Sequence, residues 1–258
     1  MKKRISAVVA IISLSIAIFG WPPYGGGPTP GYAEGDDGFQ SEVRRLPNGI
    51  YEVSALTEMP GVSAEMVRWW FGDYLQTSEH YQRWHPTAHV WMDWENKTAG
   101  EYVGASHLVH EYLGDDLSKL RIQFVPPEDI LGPVVLADDD VAVCAKAGLL
   151  EQPLNGGKMC HIIRNTEYGA EMRSRFWLGM VAKRNGNETV ASIEGIVANT
   201  YLARKIGVRQ STALDLTHHA IEEMGSLAEF LPELYASETA TSSPSPEALG
   251  DENSGGEQ

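Results

Sequence analysis

Near the C-terminal end of the chain, in the run from Thr217 to Glu223, two histidine–glutamate pairs each stand four residues apart. On a helix that spacing brings both side chains to one face, where an imidazole nitrogen and a carboxylate oxygen can hold one divalent ion. The two pairs differ in register by one residue. At about 100° per residue, Leu216, Ala220, Met224, Leu227, Phe230, Leu231 and Leu234 form a single apolar stripe. His219 and Glu223 flank that stripe, and His218 and Glu222 fall on the outer side. Polar groups on a buried flank need partners, whereas those on an outer face do not. Function is therefore expected of His219 and Glu223, and solvation of His218 and Glu222.

Two further donors come from segments with strand character. Between Tyr81 and Trp94, His89 shares an extended face with Thr87, Trp91 and Asp93, and His85 precedes Pro86 at the strand entrance. In the run Ser106 to Gly114, Glu111 shares a face with His107 and Val109, an apolar and aromatic setting that is costly for a carboxylate without a partner or a metal. His89, Glu111, His219 and Glu223 together offer two nitrogens and two oxygens. Such a set suits zinc, and iron or manganese could also take it. The plainer alternative is two structural histidines and two unrelated surface acids. All eight histidines lie between positions 80 and 219, and six of the seven tryptophans between 69 and 177, as an aromatic-lined pocket requires.

The elements that must position these groups read as follows. Helical spacing runs from Ser63, a potential cap, to Ser78. Strands are expected over 85–94, 102–112, 121–125 and 134–142. The stretch 172–182, the turn Asn185-Gly186 and the stretch 189–200 read as a long hairpin. A helix from near Gln210 to Tyr235 closes the domain. Strands followed by one long terminal helix predict an α+β architecture, with an antiparallel sheet curved around that helix and a cavity between them.

The 258 residues, 43% hydrophobic, suffice for one substantial core. A net charge of −15 argues against a nucleic-acid partner, which needs a basic footprint. Lys2-Lys3-Arg4 followed by an apolar run to Trp21 reads as an export signal within 1–33, or as an N-terminal anchor if it is not cleaved. Residues 34–45 read as a flexible linker, 46–236 as the globular domain and 237–258 as a disordered acidic tail. The expected location is therefore secreted or extracytoplasmic, with membrane contact only if the leader is retained. An oxidising compartment permits a bridge between Cys144 and Cys160, which sit on candidate strands flanking the turn at 153–157.

The segment Tyr81–His89, the strand His110–Gly114, the strand Arg173–Gly179 and the helix His219–Tyr235 together resemble the 2,4-diacetylphloroglucinol hydrolase family, to which phloretin hydrolase belongs. The resemblance runs from about Glu65 to Tyr235. It implies a Bet v 1-like, helix-grip fold. It also implies a zinc-dependent hydrolase that cleaves the carbon–carbon bond between an acyl group and a phloroglucinol-type ring, releasing a carboxylic acid. By motif, the zinc ligands fall on His89, Glu111, His219 and Glu223. Tyr81 is the expected substrate contact, and His161 a second polar group for catalysis. The implied partner is a small acylated phenol. Two departures stand out: His110 precedes Glu111 where an acid is expected, and the leader is not explained by the resemblance. No Gly-x-Ser-x-Gly elbow is present, so no serine nucleophile is expected. Two other readings remain: a non-enzymatic helix-grip protein binding a hydrophobic or aromatic ligand, and a surface-attached protein that keeps its leader as an anchor.

Overall fold

The computed structural model describes residues 38–133 and 136–241, so the segment read as an export signal and most of the stretch read as an acidic tail lie outside the described residues. Nine strands form one antiparallel sheet: β1 (Glu42–Arg45), β2 (Tyr51–Pro60), β3 (His89–Glu95), β4 (Ser106–Leu113), β5 (Asp116–Val125), β6 (Val141–Leu149), β7 (Leu154–Thr166), β8 (Gly169–Asn185) and β9 (Glu188–Val190). Their order is β1-β2-β8-β7-β6-β5-β4-β3, with β9 paired to the end of β8. The helices are α1 (Ala64–Trp69, continued as a wider π turn over Trp70–Tyr74), α2 (Ser78–Trp84), α3 (Glu128–Leu131), α4 (Ile193–Ala198), α5 (Tyr201–Gly207) and the long α6 (Gln210–Thr241).

The sheet grips α6. Met224, Leu227 and Leu231 of that helix share one core with Met59, Val109, Phe124, Val143, Ala145, Ile163 and Met172, drawn from six strands, and with Val67 and Trp70 of the α1 segment. This is the α+β helix-grip layout expected from the sequence. Side chains alternate across a strand, so Cys144, between Val143 and Ala145, faces the other way. There it joins Ile130, Leu131, Ile162 and Trp177 in a second cluster. Cys160 lies directly across the ladder from Cys144 and the two are disulfide-bonded. The bridge closes a loop of sequence separation 16, and a loop of that size is worth about 3 kcal/mol in chain entropy. Replacing both cysteines by Ala should lower the unfolding free energy by about that amount, read from urea unfolding curves fitted for both midpoint and slope, since the unbridged denatured chain is less compact.

Several elements differ from their sequence expectation. The second arm of the hairpin stops at Val190, because two helix caps take over: Ser192 Oγ accepts from Gly195 N–H and Thr200 Oγ1 from Ala203 N–H. The strand expected over 134–142 begins only at Val141; residues 134–135 lie outside the described set, and Asp140 N–H closes a turn on Ala137. The strand expected from Tyr102 starts at Ser106, after a turn in which Gly104 has φ of 92°. The helix read as running to Ser78 ends at Tyr74, and a separate helix, α2, follows under a Thr77 cap. The boundaries shift too. Part of the proposed linker is strand β1, held on the edge of β2, and α6 continues past the expected domain end to Thr241. No helix among the described residues is long and apolar enough to cross a membrane.

Candidate metal centre

The register inferred for the terminal helix is the one the structure adopts. His219 and Glu223 are buried, and His218 and Glu222 are exposed. Glu222 is nevertheless not simply solvated, since its carboxylate lies 3.6 Å from Nε2 of buried His85.

His89 opens β3, opposite Glu111 on β4. The register shifts between His89 and Trp91, and this bulge breaks the alternation expected along the strand. The inward positions become His89 and Met92, while Asp93 is exposed and Trp91 half-buried. The His89 imidazole is aimed by α2: its Nδ1–H donates to the carbonyl of Tyr81 at 2.9 Å, and its ring stacks on the Tyr81 ring at 3.7 Å between centroids. That leaves Nε2 as the free nitrogen. It is buried, has no hydrogen-bond partner, and lies 3.5 Å from Glu223 Oε2. His219 Nε2 lies 3.7 Å from the same oxygen.

One donor atom each from His89, His219 and Glu223 falls within 4.8 Å of the others. Glu111 lies outside this trio. It is buried across the ladder from His89, and its Oε2 accepts the Tyr81 hydroxyl. Three of the four ligands expected from sequence thus converge, and the fourth carboxylate is held next to them by Tyr81.

Burial shifts the titration of two of the three groups. Burial pushes the Glu223 carboxyl up to about 8; His219 opposes the rise and Glu111 adds to it. Burial also brings His89 down to about 4, so its imidazole is neutral and able to coordinate. The neutral His89 nitrogen without a hydrogen bond, the His219 imidazole beside it and a carboxylate that resists ionising alone are a donor set that fits zinc.

The cluster forms one end of a cavity of about 500 Å³ between the sheet and α6. Its walls are largely apolar, including Phe71, Trp84, Leu120, Phe124, Phe176 and Leu216. Tyr81 and Glu111 line it, as does His161, whose Nδ1 is engaged by Ser174 Oγ at 2.7 Å. Tyr81 is fully buried, and burial together with the Glu111 charge raises its phenol well above the usual range. On the other side of His219 lies a smaller, polar depression of about 270 Å³, lined by His85, Asp215, His218 and Glu222.

Three residues of the site were not singled out from sequence. Trp84 donates its indole N–H to the Glu223 carbonyl at 2.8 Å, tying α2 to α6. His85 stacks on His219 with 5.2 Å between centroids. His107 is buried against Trp94 and Tyr81, lines the cavity, and has no partner at Nε2. The available signal was the Thr77 cap and the Pro86 stop, which bound a helix carrying Tyr81, Trp84 and His85 on one side.

The chain is 29% identical over 216 residues to a 2,4-diacetylphloroglucinol hydrolase of Pseudomonas sp, covering 76% of this chain and 70% of that protein. It is 27% identical over 210 residues to phloretin hydrolase of Eubacterium ramulus, covering 75% and 70%. Among solved structures, human STARD10 aligns with a TM-score of 0.43 at 11% identity (78% of each chain), and Ara h 8.0201 with 0.41 at 8% identity (74% of this chain, 99% of that one). The family profile described as the DAPG hydrolase PhiG domain matches residues 28–236, most of the chain, and the protein belongs to that family.

Proposed function

We propose that this protein is a zinc-dependent hydrolase that cleaves the carbon–carbon bond between an acyl group and a phloroglucinol-type ring, releasing a carboxylic acid. The observation that carries the reading is the convergence of His89, His219 and Glu223 beside a largely apolar cavity, with Tyr81 and Glu111 next to them. When bound, zinc supplies Lewis acidity and a water of lowered pKa.

The chain's own residues do the rest. Phe71, Phe124 and Phe176 enclose a planar ring and exclude bulk water. Tyr81 and His161 face the same space and are placed to hold ring hydroxyls, His161 through the nitrogen that Ser174 leaves free. In the balance of the reaction, the water oxygen ends on the acyl carbon. The ring carbon leaves with the bond's electron pair and takes a proton. The Tyr81–Glu111 hydrogen bond is the proton-handling pair nearest the cluster. Glu111, beside the trio, would complete a two-His, two-Glu set for such an ion.

Metal analysis of the purified full chain, paired with organic-acid release from a panel of acylphloroglucinols, tests the reading. The expected result is bound zinc in stoichiometric amount and acid released in step with the deacylated ring. The apolar cavity also favours a simple binder of aromatic ligands. Tight binding of the panel with no acid released by the zinc-loaded chain would decide for that alternative.

We further propose that the domain works outside the cytoplasm. The basic-then-apolar leader and the Cys144–Cys160 bond support this placement. N-terminal sequencing of the exported protein should find the leader removed.

A further inference from the structure

Helices α4 and α5 expose large apolar side chains, and the segment that carries them is held to the sheet by polar groups from beneath. Asn199 and Arg204 are buried beneath them. Arg204 donates to the carbonyls of Gly179 (2.7 Å) and Asn48 (3.1 Å) and to Asn199 Oδ1 (2.9 Å). Asn199 in turn donates to the carbonyls of Val181 and Gly195. These bonds pin the α4–α5 segment to β8 through the junction residue Asn199 and through Arg204 of α5.

The apolar side faces outward. Ile193 and Val197, one turn apart on α4, are 77% and 53% exposed; Leu202 and Ile206, one turn apart on α5, are 63% and 73% exposed. Tyr201 is exposed beside them. Large aliphatic side chains this open, paired on one face of each of two successive helices, are not the scattered singles of an ordinary surface.

The charge pattern of the same stretch names the partner. From Gly195 to Leu214 there is no Asp or Glu, although the chain as a whole carries −15. The stretch holds Arg204, Lys205 and Arg209, and of these Lys205 and Arg209 are exposed. Glu194, just before it, is drawn to Lys183 at 3.4 Å. An apolar face rimmed by lysine and arginine on an otherwise acidic protein is complementary to an anionic lipid surface, with the aliphatic groups in the acyl boundary and the cations at the headgroups. Gly207, Val208 and Arg209, which directly follow Ile206, line the cavity.

We infer that the α4–α5 face is a docking surface for an anionic membrane, placing the cavity mouth against the bilayer. Apolar phenols partition into bilayers, and the face then delivers the cavity to where such ligands concentrate. The inference does not depend on which reaction the site performs.

The test uses the full chain and vesicles of phosphatidylcholine containing about one-third phosphatidylglycerol, with pure phosphatidylcholine as the control. Co-sedimentation is measured in a chain whose leader has been made polar (Ile11→Asp, Ile12→Asp, Leu14→Asp), so that the leader contributes nothing. That chain should still bind anionic vesicles, less so as salt rises. The further pair Leu202→Glu and Ile206→Glu should weaken partition at least about tenfold, with unchanged thermal melting and unchanged release of product from a water-soluble substrate. Loss of binding on making the leader polar overturns the inference, as does a Leu202/Ile206 double variant that binds as before. Light scattering that shows a dimer abolished by the double variant, with no vesicle binding in either form, gives the face to a second copy instead and equally overturns it.

Discussion

Replacing Glu223 by Gln should abolish turnover while leaving a folded protein. Removing the carboxylate takes away the one oxygen to which both His89 and His219 lie close, at 3.5 and 3.7 Å. Loss of several kcal/mol of charge stabilisation corresponds to a fall in kcat of at least about a thousandfold. The fold itself should not suffer. In the metal-free chain the buried Glu223 carboxyl is raised from 4.5 to about 8, so its ionisation is opposed by folding. A group raised in this way contributes a cost that appears as pH rises above the unfolded value of 4.5 and grows until about 8. The amide carries no such cost, so above pH 4.5 the metal-free variant should melt no lower than the metal-free parent. The parent should gain about 2.7 kcal/mol at zinc concentrations 100 times its dissociation constant, and the variant should gain none. Paired melts with zinc and with a chelator read both effects. A variant that retains both its ion and its turnover would show that Glu223 is not a ligand.

The second large effect belongs to Tyr81. Tyr81→Phe keeps the ring that stacks on His89 and the backbone carbonyl that fixes the imidazole, and removes only the hydroxyl donated to Glu111. Zinc content should therefore be unchanged while kcat falls by about 10²–10⁴, the range for removing a positioned proton-transfer group. Metal analysis beside steady-state kinetics separates the outcomes. Loss of zinc together with activity would mean that the hydroxyl serves to hold Glu111 as a ligand. Unchanged turnover would mean that it is a spectator.

The parts of this site that could be read from sequence are those governed by periodicity. The α6 stripe fixed which His–Glu pair turns inward, and the alternation around Glu111 put it on the buried side with His107 and Val109. The parts that could not be read depend on departures from periodicity. The bulge after His89 re-aims the strand, so Met92 rather than Trp91 and Asp93 accompanies it inward, and no local pattern in the sequence announces that extra residue. Helix α2 is short, and its apolar residues Tyr81 and Trp84 are equally consistent with the start of a strand; the Thr77 cap and tertiary contacts decide for helix. The β-branched and apolar residues after Thr189 favour a strand, but Ser192 and Thr200 satisfy helix N-termini and the chain turns. Partner choice was legible at the level of residue type: Glu111 was read as a buried carboxylate that needs a partner, and the Tyr81 hydroxyl is one it has.

The donors of the trio are far apart in sequence. His89 lies on the outermost strand, β3, and His219 and Glu223 on α6, with every strand from β4 to β9 between them in sequence. No fragment released early from the ribosome can assemble the set, since the two helical donors are synthesised last. An ion taken up by this set would bind only after α6 has docked, and would then fasten the edge strand β3 to the closing helix. Such a clasp guards the assembled state against unfolding without hastening its formation, because the contacts it secures have a large sequence separation. Withdrawal of the ion should accordingly accelerate unfolding while the refolding rate stays as it was.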